Sequence, residues 1–420
     1  HQQYAWDGVT LCGDFGYQLN HREEWSLFHT HYDSQPLPER NPDKELAFRL
    51  HTFSAAFRLR IARSAIWEHT AGWDGQMQRN GIGGYSFLLP AYHRFTTGGY
   101  WLTVWRPTGR LTLTGGVRYD RGGVDITPYE DPYLADYLHG RGYSEAEIAR
   151  YRWRSYPVDR QFGDFSCSLG LVWAPSPEHL LKVNVGRSFR LPGANELAAN
   201  GVHHGTFRHE QGDPSLRSEH GWQADAFYEF TAGPLRLTLS PFAALYDNYI
   251  FLRPTGGWSV LPHAGQIYRY TGARAVFAGG EAGAGIDIIR GLAYRLTGDY
   301  VYTFNRDAHT ALSFSPPASM RHTLSWRRKC YDLFVECRHI AQQGRIARNE
   351  EPTSGATLLG AGASLRISVA GTEVCLSVSA DNLLDTEYFN HLSFYRKIEL
   401  PEPGRSFRIL LNIPFKKSLK

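Results

Sequence analysis

The sequence has no run of eighteen apolar residues, which excludes a transmembrane helix. It has five cysteines, with no spacing typical of a metal site or a disulfide framework, and we interpret them as isolated thiols packed as small apolar groups. Its 45 basic and 41 acidic residues are spread along the chain, so we expect no nucleic-acid partner. The sequence begins at His1, without an initiator Met or a signal-peptide pattern. We therefore expect the chain to be a mature piece or a fragment of a protein.

Catalytic motifs are missing as well. The chain contains no Gly-x-Ser-x-Gly elbow, phosphate loop or HExxH motif, and its carboxylates are scattered. Because an active site needs such groups brought together in named roles, we predict that the protein is not an enzyme and has no catalytic residues.

Aromatic residues and glycine are abundant, at 14% aromatic content and 42 Gly, while the mean hydropathy is -0.39. A membrane barrel alternates lipid-facing and lumen-facing residues and therefore has a polar average. The segment 405–415 shows this alternation most clearly, with apolar residues at every second position: Phe407, Ile409, Leu411, Ile413 and Phe415. Eleven residues rise roughly 33 Å, which spans an outer membrane when the strand is tilted.

Similar period-two segments occur at 111–120, 166–173 and 295–304. Strands with one apolar and one polar face are typical of antiparallel sheets. Short Gly- or Pro-rich turns are predicted near 106–110, 174–179, 231–234, 289–292 and 370–373. Long polar segments are predicted at roughly 23–44, 70–92, 121–161, 190–218, 253–270, 305–320, 341–356 and 386–404.

Short turns alternating with long loops predict an all-β fold, an antiparallel transmembrane β-barrel with about sixteen strands and extracellular long loops. A single helix is predicted at 143–154, where Ser144 and Glu147 form a capping-box pattern. No domain boundary or repeat is evident, so residues 1–420 are predicted to form one domain.

One predicted loop is far longer than a hairpin needs. Residues 187–219 read "RSFRLPGANELAANGVHHGTFRHEQGDPSLRSE", with Phe189, Arg190 and Pro192 followed by Asp213, Pro214, Leu216 and Glu219. This loop closely resembles the signature loop of TonB-dependent outer-membrane receptors. Four further segments are similar to that family in the same order: "GYQLNHREEW" (16–25), "GVRYD" (116–120), "FSPPASMRHTLSW" (314–326) and "DNLLDTEYFNH" (381–391) leading into "PGRSFRILLNIPF" (403–415).

The resemblance implies an integral protein of the Gram-negative outer membrane that imports a scarce nutrient. It implies contact with outer-membrane lipid and with the TonB-ExbB-ExbD complex through an N-terminal plug. Such receptors have about 22 strands around a plugged lumen. We therefore predict that the chain is the C-terminal portion of a receptor barrel, from which the plug and the first strands are absent.

The signature loop is also the predicted ligand site. His203, His204 and His209 could ligate a metal, because imidazole suits iron, zinc or copper, with Glu196, Glu210 and Asp213 nearby in the sequence. The alternative is that these histidines and Gly201, Gly205 and Gly212 are loop architecture. His29 and His31 belong to another predicted outer loop. The ligand-binding residues predicted in full are Tyr85, Arg190, Glu196, Asn200, His203, His204, His209 and Tyr268.

Two further groups of residues leave alternatives open. Aromatic residues assigned to the loops could stack on a ligand or form the aromatic girdles at the membrane interfaces: Trp67, Trp73, Tyr85, Trp101, Trp258 and Tyr268. Arginines on the polar strand faces could attract an anionic ferric chelate or hold the plug: Arg118, Arg295 and Arg408.

The predicted cargo is an iron complex, either a ferric siderophore or haem. No resident cofactor is expected, since any iron would belong to the transported ligand. Importers of the same family for zinc, a corrinoid or an oligosaccharide are the main alternatives. A passive porin is a further alternative, although it explains none of the five similar segments.

Overall fold

The computed structural model describes residues 1–29, 32, 35–262, 264–369 and 372–414. His31 and Phe415 lie outside the described residues, as do the side chains of His203 and His204. None of the described helices is long and apolar enough to cross a membrane. The chain divides into two compact units: the first contains His1–Leu171, Asn184–Gln223 and Ala244–Ala275, and the second contains Val172–Val183, Ala224–Ala243 and Val276–Lys420.

Strands dominate the chain from its first residues. The elements up to the signature loop are, in order, β1 (Gln2–Trp6), β2 (Val9–Trp25), β3 (Lys44–Ile61), β4 (Trp67–Gly83), β5 (Tyr92–Thr108), β6 (Leu111–Ile126), β7 (Tyr129–Glu130), α1 (Pro132–Gly140), α2 (Glu145–Arg152), β8 (Trp153–Ser155), β9 (Val158–Ser176) and β10 (His179–Arg190). The signature loop follows with α3 (Ala194–Ala198), β11 (Asn200–His203), a 3-10 turn at His204–Thr206 and β12 (Arg208–Gln211).

The remaining strands continue to the end of the described chain. They are β13 (Glu219–Ala232), β14 (Leu235–Trp258), β15 (Gln266–Ile289), β16 (Leu292–Asn305), β17 (Ser319–Arg327), β18 (Tyr331–Ile340), β19 (Ala356–Val369), β20 (Thr372–Asp381) and β21 (Ser406–Asn412), with a 3-10 turn at Phe394–Ile398 before β21. Within the described residues, sixteen strands have seven or more residues. The predicted all-β fold is therefore confirmed, and so is the predicted number of long strands.

Nineteen strands belong to one sheet, and β7 and β8 pair separately. Sequential neighbours pair antiparallel, from β1 to β6 in the first unit and from β16 to β21 in the second. The short β12 differs, because it pairs with the start of β15 in parallel. This pairing attaches the signature loop to the sheet.

The strand registers align side chains of one kind across neighbouring strands of the second unit. One row is apolar and consists of Trp326, Leu333, Ala363, Val378 and Ile409. An adjacent row is polar and consists of Arg327, Asp332, Ser364 and Ser377. Side chains of one strand alternate between faces, so the sheet has one apolar and one polar face, as the period-two pattern predicts.

The loop predictions are confirmed with two exceptions. Residues 253–270 were predicted as a loop, but β14 ends at Trp258 and β15 begins at Gln266, so only residues 259–265 connect these strands. Residues 70–92 were predicted as a loop, but β4 occupies Trp67–Gly83, so only the following eight residues connect β4 to β5. Glycine, threonine and glutamine lower the apolar content of β4, and this hid its strand pattern. Five of the six aromatic residues that were assigned to loops accordingly lie in strands: Trp67 and Trp73 in β4, Trp101 in β5, Trp258 in β14 and Tyr268 in β15.

The predicted helix is α2, and its capping box is present: the Ser144 backbone N–H donates to Glu147 Oε2 at 3.0 Å. Helix α1 was missed. Its first turn is capped by Asp131, whose Oδ1 accepts from the backbone N–H of Tyr133 at 3.1 Å and of Leu134 at 3.2 Å. Together α1 and α2 bury Leu134, Leu138 and Ile148 in a cluster with Val202 of the signature loop.

Candidate functional site

Between the end of β10 and the start of β13, residues 191–218 of the signature loop fold as a small structured body. β11 and β12 form an antiparallel hairpin in which Val202 lies opposite His209, and Glu210 of β12 lies beside Tyr268 of β15. Gly212 is required at its position because a Cβ there would meet the Ala198 nitrogen at 2.6 Å. Leu197 and Leu216 pack in a buried cluster with Ile126. The loop therefore has its own core.

Arg190 joins the two ends of this loop. Its Nη1 donates to Glu196 Oε2 at 2.8 Å, and its Nη2 donates to Glu219 Oε2 at 3.1 Å. The two carboxylates are further satisfied by the backbone: Gly193 N–H donates to Glu196 at 2.6 Å and Ile250 N–H donates to Glu219 at 2.8 Å. We call Arg190, Glu196 and Glu219 the signature-loop clasp. Because its guanidinium is fully engaged, the clasp holds β10, α3 and β13 together.

The Asp-Pro-x-Leu segment closes onto the same helix. Asp213 N–H donates to the Glu196 carbonyl at 2.8 Å, and Asp213 Oδ1 accepts from the Ser215 N–H at 2.8 Å. Arg160 of β9 donates to the Pro214 carbonyl at 2.6 Å. The residues that carry the sequence resemblance thus meet in space and order the loop.

His209 belongs to strand β12 of the hairpin and is fully buried. Its Nε2 lies 2.7 Å from Asn200 Oδ1 and its Nδ1 lies 2.8 Å from Ser259 Oγ. Burial, with Arg154 and Arg150 nearby, lowers the pKa of His209 to about 3. The imidazole is therefore neutral at ordinary pH, and both of its nitrogens are engaged by the protein.

Asn200 completes this network. It is fully buried, and its Nδ2 donates to the carbonyls of Trp153 at 2.7 Å and Arg150 at 3.0 Å. Asn200 thereby connects the end of α2 to the hairpin. Neither Asn200 nor His209 is exposed to bulk solvent in this conformation, so their predicted contact with a ligand requires the loop to open.

The predicted metal ligands are not brought together by the described part of the chain. No group of three His, Cys, Asp or Glu side chains there could hold a metal ion. The side chains of His203 and His204 and the whole of His31 lie outside the described residues. His29 is exposed, with Nδ1 3.1 Å from the Leu27 carbonyl. Metal ligation by His203, His204 and His209 stays a prediction.

The two predicted aromatic ligand contacts differ in accessibility. The hydroxyl of Tyr85 lies 2.7 Å from Ser26 Oγ, and its ring packs edge-on against Phe28 at 5.1 Å. Tyr268 is buried in β15. Tyr85 is therefore the partly accessible member of this pair.

The predicted polar-face arginine Arg118 is held by two carboxylates. Its guanidinium is 2.6 Å from Asp74 Oδ2 and 2.6 Å from Asp120 Oδ1. Arg408 lies 3.9 Å from Asp381. An arginine that is already neutralised attracts an anion less strongly, so this geometry disfavours anion capture at Arg118, and contact with the plug stays a prediction.

Sequence reasoning missed several residues of these loops. Tyr270 of β15 donates to Glu210 Oε2 at 2.9 Å and accepts from Asn195 Nδ2 at 3.0 Å. Arg154 is buried, with its guanidinium 5.8 Å from the Phe87 ring centre. Burial raises the pKa of the nearby Tyr32 to about 12. No local sequence pattern marks these residues, because their partners are far from them in the sequence.

The arrangement is suited to binding a ligand. It combines neutral histidine, paired charges and aromatic rings in loops with their own buried core. If the β11–β12 hairpin is released, these loops change shape and can present their buried side chains to a ligand.

A family model described as "TonB dependent receptor-like, beta-barrel" matches residues 2–383. Among solved structures, the copper transporter OprC is 19% identical, with a TM-score of 0.69 over 95% of this chain and 61% of that chain. The ferric enterobactin receptor PfeA is 15% identical, with a TM-score of 0.63 over 97% of this chain and 60% of that chain; it comes from Pseudomonas aeruginosa. The hemophore receptor HasR of Serratia marcescens, solved with its hemophore HasA and heme, is 18% identical, with a TM-score of 0.62 over 96% of this chain and 62% of that chain.

These similarities show the fold. The chain spans about three fifths of the length of the structures that it matches.

Proposed function

This chain belongs to the TonB-dependent receptor-like β-barrel family of the outer membrane, and from that membership we propose that it imports an iron complex, either a ferric siderophore or haem. In this proposal the signature loop closes over the bound ligand. The energy for import comes from the TonB-ExbB-ExbD complex, which acts through a plug that precedes this barrel portion in the full-length protein.

The observation that carries the proposal is the organisation of the signature loop. Arg190 pairs with both Glu196 and Glu219, while His209 of the hairpin is fully buried. A passive pore has no need of a loop with its own core and a buried hydrogen-bond network. A loop that closes over a ligand has that need, because it must adopt one defined closed state.

The similar structures support an iron cargo. PfeA is a ferric enterobactin receptor and HasR was solved with heme. OprC is a copper transporter, but soft thioether ligands select Cu(I), and the two methionines of this chain, Met77 and Met320, lie in strands β4 and β17. Zinc, a corrinoid and an oligosaccharide are the alternative cargoes.

The proposal is tested by growth of a deletion strain complemented with the full-length gene. The strain is supplied with haem, a ferric siderophore, or limiting zinc or copper as the single source of the nutrient. The informative variant is His203→Ala with His204→Ala, because it removes two predicted ligands and leaves the buried His209 network intact. The matched control is His139→Ala, which changes an exposed histidine at the end of α1.

We expect the wild-type gene to rescue growth on haem or on one ferric siderophore. Loss of that rescue in the double variant, at unchanged surface expression and with the control active, would assign His203 and His204 to the ligand. Rescue by the double variant would leave the import proposal in place and make the two histidines architectural. Rescue on zinc or copper alone, or on no source, would contradict the iron proposal.

A further inference from the structure

Three basic side chains cluster at the short-connection end of the second unit. Arg290 lies between β15 and β16, and Arg328 and Lys329 lie between β17 and β18. The two connections contact each other directly, since the Arg327 N–H donates to the Gly291 carbonyl at 2.7 Å and Arg328 Nη1 donates to the Arg290 carbonyl. The fold therefore concentrates positive charge that the sequence places almost forty residues apart.

The nearest acid of these connections is engaged by other arginines. Asp332 accepts from Arg327 at 3.2 Å and also pairs with Arg366. Within the described chain, Arg290, Arg328 and Lys329 have no carboxylate partner, and Asp287 forms no ion pair with Arg290. Arg290 and Lys329 are also exposed. The cluster thus keeps its charge available.

The cluster adjoins the apolar face of the sheet. Trp326 belongs to the apolar row, and the Arg328 guanidinium lies over its ring at 5.5 Å. Tyr331 packs edge-on against Trp326 at 5.7 Å, and Ile289, next to Arg290, is exposed. Trp and Tyr are typical of the membrane interface, where the headgroups lie. The three cations are therefore placed at headgroup level beside lipid-facing residues.

We propose that Arg290, Arg328 and Lys329 bind the phosphate of an anionic glycerophospholipid in the periplasmic leaflet. A guanidinium offers paired donors to phosphate oxygens, and a lysine ammonium adds a compact charge. The Trp326 and Tyr331 rings would contact the upper acyl chains. The proposal rests on the family membership and the membrane location, and it is independent of the cargo.

The short connections of the first unit provide the contrast. Arg63, between β3 and β4, lies 4.0 Å from Asp7, between β1 and β2. Next to a connection, Arg106 near the end of β5 is 3.3 Å from Glu68 near the start of β4. In these connections basic residues have nearby acids. If all short connections attracted lipid headgroups equally, lipid would bind at each of them. The proposed site is instead confined to the Arg290 connection and the neighbouring connection with Arg328 and Lys329.

The test is lipid retention by the full-length protein, measured by native mass spectrometry after release from micelles containing phosphatidylglycerol or phosphatidylcholine. The test variant is Arg290→Ser with Lys329→Ser, which removes two exposed charges and keeps the contact between the connections. The control is Arg63→Ser with Arg110→Ser, which removes two exposed arginines from short connections of the first unit. Heat-modifiable migration in gels checks that each variant is folded.

We expect the wild type to retain phosphatidylglycerol in preference to phosphatidylcholine. Each lost charge should weaken retention about fivefold, so the test variant should lose roughly 25-fold and the control should stay near wild type. Arg328→Gln alone should lose about fivefold. Equal retention of both lipids by the wild type, an unchanged test variant, or an equal loss in the control would overturn the proposal. Displacement of the lipid by millimolar inorganic phosphate would also overturn it, because the site would then bind free anions.

Discussion

Two charged clusters, one in each compact unit, tie down the long loops in different ways. The signature-loop clasp has one arginine between two carboxylates, Glu196 and Glu219. The second cluster has one carboxylate between a guanidinium and an imidazole. Glu350 Oε1 lies 3.1 Å from Arg396 Nη2 and 3.4 Å from His391 Nε2. We call Glu350, His391 and Arg396 the histidine clasp.

The two clasps also differ in burial. In the signature-loop clasp the Arg190 side chain is 42% exposed and each carboxylate 14%. In the histidine clasp the side chains of Arg396, Glu350 and His391 are 6%, 2% and 0% exposed. Water screens a partly exposed pair, whereas a buried carboxylate depends on its partners. The signature loop is therefore held by ion pairs that water can partly replace, whereas the loops of the histidine clasp are held more rigidly.

The largest expected effect is at Glu350. Glu350→Ala leaves Arg396 and His391 buried without their carboxylate and removes the acceptor of the Phe314 and Ala347 N–H groups. We expect a loss of about 3–5 kcal/mol in the local stability of these loops. Hydrogen exchange of residues 341–355 and 382–405 measures it. Unchanged protection would show that the histidine clasp does not hold these loops.

Arg190→Ala should have the next largest effect. It leaves Glu196 and Glu219 unpaired, and partial exposure of the site reduces the expected loss to about 2–3 kcal/mol. Hydrogen exchange should increase across residues 191–218, with Arg190→Lys intermediate because lysine cannot pair with both carboxylates in the same geometry. An effect equal to that of Glu350→Ala would contradict the difference between the two clasps.

A change of pH should separate the two regions. The folded pKa of His209 is about 3, below the ordinary 6.5, so the unfolded loop binds a proton that the folded loop does not. Stability is then complete above pH 6.5 and is lost as the pH falls toward 3, by about 2 kcal/mol at about pH 5. Hydrogen exchange of the β11–β12 hairpin at two pH values measures this loss, and His209→Gln should remove the pH dependence.

Glu350 provides the internal control for that experiment. Burial favours its neutral form, but the nearby His391 and the hydrogen bonds from the Ala347 and Phe314 N–H groups outweigh burial and hold the pKa of Glu350 below its ordinary value. A carboxylate with a lowered pKa stabilises the fold above its ordinary pKa and loses this contribution only as the pH falls through the lowered value. The Glu350 contribution should therefore persist at about pH 5, where the His209 hairpin already opens.

The smallest expected effect is at the capping box of α2. Ser144→Ala removes one cap hydrogen bond at an exposed helix end and should cost about 0.5–1 kcal/mol. Protection of α2 should fall slightly, while protection of the signature loop should not change. A loss of protection in both would mean that α2 and the hairpin open together through Asn200, which bonds to the carbonyls of Arg150 and Trp153.

Most strands with clear apolar alternation and the helix α2 were predicted from the sequence, whereas β4 and the helix α1 were missed. The β21 strand and the α2 helix follow from period-two alternation and from the Ser144–Glu147 pair. β4 was missed because glycine and glutamine hide its alternation, and α1 was missed because its cap, Asp131, has no acid at the capping-box position.

The candidate site shows the same division. The resemblance selected the signature loop, and Arg190, Glu196, Asn200 and His209 do lie within connected networks there. The pairing of Arg190 with both Glu196 and Glu219, and the burial of His209 against Ser259, were not predicted. Glycine, histidine and carboxylates are equally compatible with a ligand site and with a folded loop until their partners are known.

Most of the alternating strands and connections, and the family, could be predicted from the sequence, because these features depend on local periodicity and on the order of short motifs. The tertiary structure sets which opposite charges meet, such as Arg190 with Glu219 and Glu350 with Arg396. These pairs depend on strand register and on how loops fold over one another. A charged side chain can pair with any opposite charge within reach, and only the folded backbone sets which one that is.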